Sequence, residues 1–385
     1  MNKKDFALLN TLTAPDSQGS SYYFALIRGL AETALEYDHL ARRRGSNEVA
    51  LPLGLLVLKW ILYYFPIVDS DLPQQSAADS GNKNEAQLRF QAGLKKVTQY
   101  YETRGGYEAF YADLSRGGIS AGISKELIIV LRQIRDAIQE SIYRMDQTYG
   151  TKRSTLISYN KDTRHIMEVT RPARISPEFL IQNFGTFVIR RNLYEVLRKF
   201  GNYLTGSRSI INQWASFTAN GTAPDPVRVN QALSVIATPL IPRQDTAQAY
   251  EIYSEIARHG VDLRCVWSGK SLDESSLAID HIIPFSLLPN NDLWNLMPCH
   301  NSINIRKGDR IPAGALLAER SEILRGYWSV ARDYFQPIFD RQFKISLVGF
   351  DLKNYEVKWQ DTGLAVLKSR CSYYVDQMGM QSWKI

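Results

Sequence analysis

Residues 264–312 read RCVWSGKSLDESSLAIDHIIPFSLLPNNDLWNLMPCHNSINIRKGDRIP, and this stretch determines how the C-terminal part of the chain folds. Apolar runs at 263–267 and 277–281 predict two short strands, separated by the turn signal Ser268-Gly269-Lys270. A short helix is predicted over about 299–306, because a Lys-Gly pair follows it. The stretch therefore predicts two strands, a loop and a helix that bring Asp, His and Asn side chains together.

The polar side chains of this stretch suit one kind of chemistry. Carboxylate and amide oxygens are hard ligands of the kind that Mg²⁺ takes, with water and substrate phosphate completing its shell. Histidine titrates near neutral pH, so a neighbouring imidazole can take a proton from water. A metal, a base and a phosphate together are what phosphodiester hydrolysis requires.

Three elements of the stretch occur in a fixed order. They are Asp280-His281-Ile282-Ile283-Pro284, then Asn291-Asp292-Leu293-Trp294-Asn295, then Asn304-Ile305-Arg306-Lys307. A chain with these elements resembles the HNH endonuclease family, which has a ββα-metal active site. Many members also hold a structural zinc in two C-x-x-C pairs, whereas here Cys265 has no such partner. The zinc-free variety of the family is therefore the expected match. The segments around 51–66 and 326–328 also resemble flanking regions of bacterial restriction- or defence-type HNH proteins, which is the branch expected here.

The resemblance implies a role for each polar residue of the motif. His281 would be the general base, Asp280 and Asn304 would be the metal ligands, and Asn295 would brace the loop that orients the base. Mg²⁺ is the expected metal, with Mn²⁺ as the alternative. His300 lies one helical turn before Asn304 and stays open as an alternative ligand, which would favour a softer metal such as Zn²⁺ or Ni²⁺.

Positive charge is concentrated in one segment of the chain. Lys and Arg number 46 against 39 Asp and Glu, which gives a net charge of +7. Residues 151–208 hold eleven of the Lys/Arg and four acids, so this segment alone accounts for the excess. Aromatic residues are interleaved with these charges. Two interpretations of the segment stay open: a surface that follows a phosphate backbone, or a solvated helix face over a core. The residues expected to contact nucleic acid are Arg190, Arg191, Arg198, Lys199, Arg306, Lys307 and Arg310.

The sequence as a whole predicts a mainly α protein with a small α+β module. Residues 1–222 predict a helical DNA- or partner-binding domain, with a β-hairpin near 155–170. Residues 223–260 predict a proline-rich linker and a helix that leads into the next domain. Residues 261–315 predict the HNH module. Residues 316–385 predict an extension packed on the nuclease, with a strand at 343–350.

Other classes of protein are disfavoured by composition. The most apolar run, 51–65, contains Lys59 and is too short to span a bilayer, so we expect a buried helix and no membrane association. Three widely separated cysteines exclude a disulfide scaffold and fit a cytoplasmic protein.

The combined expectation is a Mg²⁺-dependent HNH endonuclease. It would hydrolyse double-stranded DNA to 5′-phosphate and 3′-hydroxyl ends, in restriction or anti-phage defence. One base and one metal cut one strand, so duplex cleavage calls for a homodimer or two sequential nicks. Two alternatives stay open: an effector subunit that is inactive until an ATPase or a guide complex gates it, and a nucleic-acid-binding protein with a vestigial site. RNA also stays open as the substrate.

Overall fold

A computed structural model describes residues 21–72, 74, 88–150, 155–159, 174–205, 210–219, 226–237, 240–241, 244–349 and 355–385. The chain divides into two compact units, Met1–Pro242 and Arg243–Ile385. Within the described ranges, none of the helices combines the length and the apolar character that crossing a bilayer requires.

The N-terminal unit is a helical domain with one small antiparallel sheet. Its helices are α1 (Tyr22–Glu36), α2 (Leu53–Asp69), α3 (Gln91–Glu102), α4 (Gly106–Arg116), α5 (Ala121–Tyr149), α6 (Pro177–Asn183), α7 (Arg191–Thr205), α8 (Ile210–Thr218) and α9 (Pro226–Ile236). Its strands are β1 (Arg42–Arg44), β2 (Glu48–Pro52), β3 (Ile157–Tyr159) and β4 (Thr186–Arg190), in the order β1-β2-β4-β3.

Helix α2 is the centre of this unit, because it is buried on all sides. A helix that is apolar all round belongs in a core rather than on a surface. It packs closely on α6, where Gly54 lies so near the Leu180 carbonyl oxygen that an added Cβ would come within 2.0 Å of it. The buried helix expected over 51–65 is therefore present, and it supplies the core on which the other helices pack.

The first strand of the hairpin predicted near 155–170 pairs with a strand from outside that hairpin. Strand β3 pairs antiparallel with β4, with Ile157 opposite Ile189 and Tyr159 opposite Phe187. Residues 160–173, where the second strand was expected, lie outside the described residues. The helical domain also extends beyond its predicted end at 222, because Ala232 and Ile236 of α9 are buried in its core.

A cluster of four charged side chains lies at α2, where Arg28 and Lys59 are buried and Glu32 and Glu36 are partly buried. The Lys59 ammonium lies 3.0 Å from Glu32 Oε2 and 2.7 Å from Glu36 Oε2. The Arg28 guanidinium donates from Nε to Glu32 Oε1 at 2.8 Å and from Nη1 to the Ile236 carbonyl at 2.8 Å. Each buried charge therefore has a partner of opposite sign, and Arg28 also ties α9 to α1.

This cluster predicts acid sensitivity of the N-terminal unit. Burial raises the pKa of Glu32, but Lys59 and Arg28 outweigh burial and lower it from 4.5 to about 2. A carboxylate with a lowered folded-state pKa stabilises the fold above its unfolded pKa and loses this contribution as pH falls through the folded one. We expect about 3 kcal/mol to be lost between about pH 5 and pH 2. Hydrogen exchange of α1 and α2 amides measures this loss.

The matched comparison for this pH dependence uses two glutamates. The Glu32→Gln chain should be less stable at neutral pH and should lose less stability on acidification. The Glu102→Gln chain, changed at an exposed position, should behave as wild type. An acid dependence that Glu32→Gln leaves intact would contradict the assignment.

The C-terminal unit is built around a two-stranded sheet and a short helix. Its helices are α10 (Ala247–Arg258), α11 (Asn301–Lys307), α12 (Gly314–Glu319), α13 (Ser321–Phe343) and α14 (Tyr355–Asp376). Its strands are β5 (Leu277–His281), β6 (Leu296–His300), β7 (Ile311–Pro312) and β8 (Ser382–Trp383). Strands β5 and β6 pair antiparallel, with Asp280 opposite Met297 and His281 opposite Leu296.

One of the two strands predicted for the ββα element is formed by a different part of the sequence. The run 263–267 is not a strand; it closes a tight turn in which the Cys265 amide donates to the Lys270 carbonyl and the Gly269 amide donates to the Cys265 carbonyl, both at 2.8 Å. Gly269 has φ +71°, which allows this turn. The second strand is instead Leu296–His300, which follows the loop and leads directly into α11.

The C-terminal extension contacts the loop between β5 and β6. The Leu293 amide donates to Gln342 Oε1 at 3.0 Å, and the Trp328 indole donates to the Trp294 carbonyl at 2.8 Å. The strand expected over 343–350 is not formed, since Lys344–Val348 continue α13 as a π-helical turn. Helical backbone there brings the Ser346 hydroxyl 2.6 Å from the Trp294 indole nitrogen.

Candidate active site

The end of β5 places two ionisable side chains in the interior of the C-terminal unit. Asp280 and His281 are the last two residues of the strand, and both are buried. Helix α11 packs across β5, and the Asn304 amide donates to the Ile279 carbonyl at 3.4 Å. Helix α11, which carries Asn304, therefore crosses β5 next to the end that carries Asp280 and His281.

Asp280 is held by two donors. The Trp267 indole donates to Oδ2 at 2.6 Å, and the Lys307 ammonium lies 3.0 Å from Oδ1. Burial raises the pKa of the Asp280 carboxyl, and the positive charge of Lys307 acts in the opposite direction. A buried carboxylate needs such a partner to stay charged.

The position of Lys307 differs from the prediction. It was predicted to face phosphate, but it is only 1% exposed. Its ammonium also donates to the His281 carbonyl at 2.6 Å, so its charge is directed at the end of β5 rather than at solvent. Lys307 therefore belongs to the interior framework of the site.

Asn295 holds the turn that follows His281. Its Oδ1 accepts from the Ile283 amide at 2.9 Å and its Nδ2 donates to the Ile283 carbonyl at 3.0 Å. The backbone carbonyl of Asn295 accepts from the Ile282 amide at 2.8 Å. These three bonds fix the backbone of the two residues after His281.

The His281 ring has a neighbour at each nitrogen. Gln244 Nε2 lies 3.1 Å from Nδ1, and Asn291 Oδ1 lies 3.4 Å from Nε2. Burial lowers the pKa of His281 to about 4, while its hydrogen bond to Asn291 acts in the other direction. The imidazole is therefore neutral at pH 7, the form in which it can accept a proton.

The oxygen donors fit a hard divalent cation. Mg²⁺ is typically held by one or two protein oxygens together with waters and substrate phosphate. Asp280 supplies a carboxylate, and Asn304 uses Nδ2 on Ile279, which leaves its amide oxygen to ligate. Among the described residues no group of three or more His, Cys, Asp and Glu could hold a metal. His300, directly before α11, is the nitrogen donor that the sequence left open as the alternative ligand.

The predicted surface cations of the nuclease module differ in exposure. Arg306 is exposed, whereas Arg310 is partly buried and donates from Nε to the Lys307 carbonyl at 3.1 Å. Arg306 therefore remains the cation of α11 that is best placed for a phosphate.

The basic segment 151–208 is partly described. Arg190 donates to the Thr155 carbonyl at 3.1 Å, Arg198 pairs with Asp38 at 2.8 Å, and Arg191 lies 3.9 Å from Glu195. Lys199 is exposed. The basic residues at 152, 153, 161, 164, 171 and 208 lie outside the described residues.

The aromatic residues of this segment belong mainly to the core. Phe184, Phe187 and Tyr194 are buried, and Tyr159 and Phe179 pack against the same core. They are therefore not a set of exposed stacking platforms, and the segment is better described as cations over a packed core.

Two features escaped the sequence analysis. Strand β1 consists of Arg42, Arg43 and Arg44, all exposed at the edge of the sheet. Gln244 contacts His281 although it lies in the predicted proline-rich linker. No local signal marks it, because the contact is made across 37 residues.

Comparison with protein families gives two matches. The model of the family described as "Domain of unknown function (DUF8808)" matches residues 2–235, more than half of the chain. The model described as "HNH endonuclease" matches residues 265–313. No curated protein and no solved structure matches the chain. The second match contains all three motif elements, so the C-terminal unit carries an HNH endonuclease domain, and the resemblance is confirmed at this level.

Proposed function

Since the chain belongs to the DUF8808 family and carries an HNH endonuclease domain after that region, we propose that it is a metal-dependent DNA endonuclease. One observation carries this proposal. A neutral, buried His281 lies at the end of β5 beside Asp280, with Asn304 on the helix that crosses the strand. This is the combination of base and oxygen ligands that phosphodiester hydrolysis uses.

In this proposal each residue of the site has a separate role in hydrolysis. His281 takes a proton from the attacking water, and Asn295 holds the turn that sets the direction of the ring. Lys307 keeps Asp280 ionised in its buried position. A divalent ion on Asp280 and Asn304 would supply positive charge to the scissile phosphate and the leaving 3′ oxygen. The products carry 5′-phosphate and 3′-hydroxyl ends.

The proposed substrate is double-stranded DNA. Exposed cations lie on β1 and at Arg306 and Lys199, and such charges bind phosphates without reading sequence. Arg190, Arg191, Arg198 and Arg310 are the further proposed contacts. One base cuts one strand, so we propose duplex cleavage by a homodimer or by two nicks. The biological setting that we propose is restriction or anti-phage defence.

A second candidate function is a nuclease subunit gated by a partner such as an ATPase or a guide complex. One observation favours it: His281 is only 3% exposed, so water and DNA have little access to the ring in this conformation.

Plasmid cleavage by the full chain tests the proposal. Supercoiled plasmid is incubated with Mg²⁺, with Mn²⁺ and with EDTA, and the products are separated on a gel. Nicked or linear DNA that requires the metal and whose ends are ligatable without repair supports the proposal. Metal-independent cleavage, or ends with 3′-phosphate, would refute it. Activity that appears only with a co-expressed partner would favour the gated subunit.

Three alanine variants distinguish between the candidate metal ligands Asn304 and His300. We expect Asn304→Ala to slow cleavage at least about a hundredfold, because losing even an outer-shell partner of a metal costs up to that much. Raising the Mg²⁺ concentration should restore part of the rate. Asn301→Ala, at an exposed position of the same helix, is the matched control and should cleave as wild type. If His300→Ala loses the rate and Asn304→Ala keeps it, the ligand assignment is wrong.

A further inference from the structure

We propose that Gln244 is an autoinhibitory residue that occupies the basic nitrogen of His281 and must leave before water can bind there. This inference rests on the proposed function, because it assigns the regulation of the same site. Neither family match covers Gln244, which lies between residues 235 and 265.

The partners of the ring determine which nitrogen is basic. Asn291 Oδ1 accepts from the Asp245 amide at 3.1 Å, which identifies that atom as the amide oxygen. An oxygen acceptor 3.4 Å from His281 Nε2 and an amide NH₂ group 3.1 Å from Nδ1 together fit the tautomer that carries its proton on Nε2. The lone pair of the neutral ring is then on Nδ1.

Gln244 occupies that lone pair. Its Nε2 lies 3.1 Å from His281 Nδ1, and an amide NH₂ can only donate. A water molecule that is to lose its proton to His281 must donate to the same lone pair. Gln244 and the attacking water therefore exclude each other at Nδ1.

Gln244 and Asp245, which we call the strap, cover the ring from the solvent side. Both residues are exposed while His281 beneath them is buried. The strap is held by two contacts with the site, the Gln244–His281 bond and the Asp245–Asn291 bond. The Asp245–Asn291 bond is exposed and the Gln244–His281 bond is part-buried, and water can replace both when the strap lifts.

The element that follows the strap is anchored independently. Ala249, Ile252 and Tyr253 of α10 are buried in the core of the C-terminal unit, and the Tyr253 hydroxyl donates to the Leu296 carbonyl at 3.3 Å. The strap can therefore move without unpacking α10. It is also the point at which the chain enters this unit, since the unit begins at Arg243.

The experiment compares the full wild-type chain with Gln244→Ala in two independent measurements. One is the single-turnover rate of plasmid cleavage in Mg²⁺. The other is the rate at which diethyl pyrocarbonate modifies His281, followed by mass spectrometry; this reagent attacks a free imidazole nitrogen and needs no nuclease activity. His259, whose side chain is 73% exposed, is the internal reference. Gln248→Ala, on the same segment but outside these contacts, is the matched control.

We expect Gln244→Ala to raise both rates about two- to tenfold, the range that one neutral hydrogen bond sets. Gln248→Ala should change neither rate. In the wild type, His281 should be modified more slowly than His259.

The opposite results are equally informative. A Gln244→Ala chain that cleaves more slowly than wild type would make Gln244 a positioning residue and overturn the inference. Modification of His281 at an unchanged rate would also overturn it. A faster modification in chains that never cleave DNA, alone or with a co-expressed partner, would support the strap and refute the proposed function instead.

Discussion

His281→Ala should reduce the single-turnover rate of DNA cleavage by at least about a thousandfold, within the range that a general base contributes. The variant loses the only proposed proton acceptor, while the ligands Asp280 and Asn304 are retained. The measurement is the conversion of supercoiled to nicked plasmid at saturating Mg²⁺, where metal binding does not limit the rate.

The control for this variant is a second histidine in the same unit. His259 follows α10 at the surface, and His259→Ala should cleave as wild type. Because His281 is buried against Phe285, with ring centroids 5.7 Å apart, the stability of both variants must be measured by chemical unfolding. A folded His281→Ala chain that cleaves at the wild-type rate would show that the base lies elsewhere.

Lys307→Met should destabilise the C-terminal unit by about 3–5 kcal/mol, because it leaves a buried carboxylate without its counter-charge. Burial already raises the pKa of Asp280, and removing Lys307 removes the main opposing charge. The carboxyl would then tend to be protonated, so we also expect weaker metal dependence and slower cleavage. Urea unfolding at pH 7 measures the stability, and a plasmid assay measures the activity.

Arg306→Met is the matched control, since it changes the preceding, exposed residue of the same helix. Its effect on stability should stay within about 0.5 kcal/mol, as is usual for surface positions. If Lys307→Met and Arg306→Met unfold at the same urea concentration, the Asp280–Lys307 pair does not stabilise the unit.

Much of the candidate site was accessible from the sequence because its residues are close along the chain. Asp280, His281, Asn295 and Asn304 lie within one stretch, and local spacing alone places them on a strand, a loop and a helix. The buried helix α2 was equally accessible, since its apolar residues are continuous.

The remainder depends on contacts between distant segments. Leu296–His300 forms a strand because it pairs with β5, although Pro298 argues against a strand locally. Lys307 was expected at the surface, where lysine is usually found, and its burial requires Asp280 and the His281 carbonyl as partners. No pattern within the linker distinguishes Gln244 from any other polar residue.

The arginine strand β1 has a second consequence, which concerns association between copies of the chain. It lies at the outer edge of the sheet, and an edge strand exposes backbone groups that can pair with a strand from another molecule. Three consecutive exposed arginines make such pairing unfavourable, because two copies would bring like charges together. Replacing them with apolar residues to test DNA binding would thus also create an edge prone to aggregation, whereas glutamine removes the charge and keeps the edge polar.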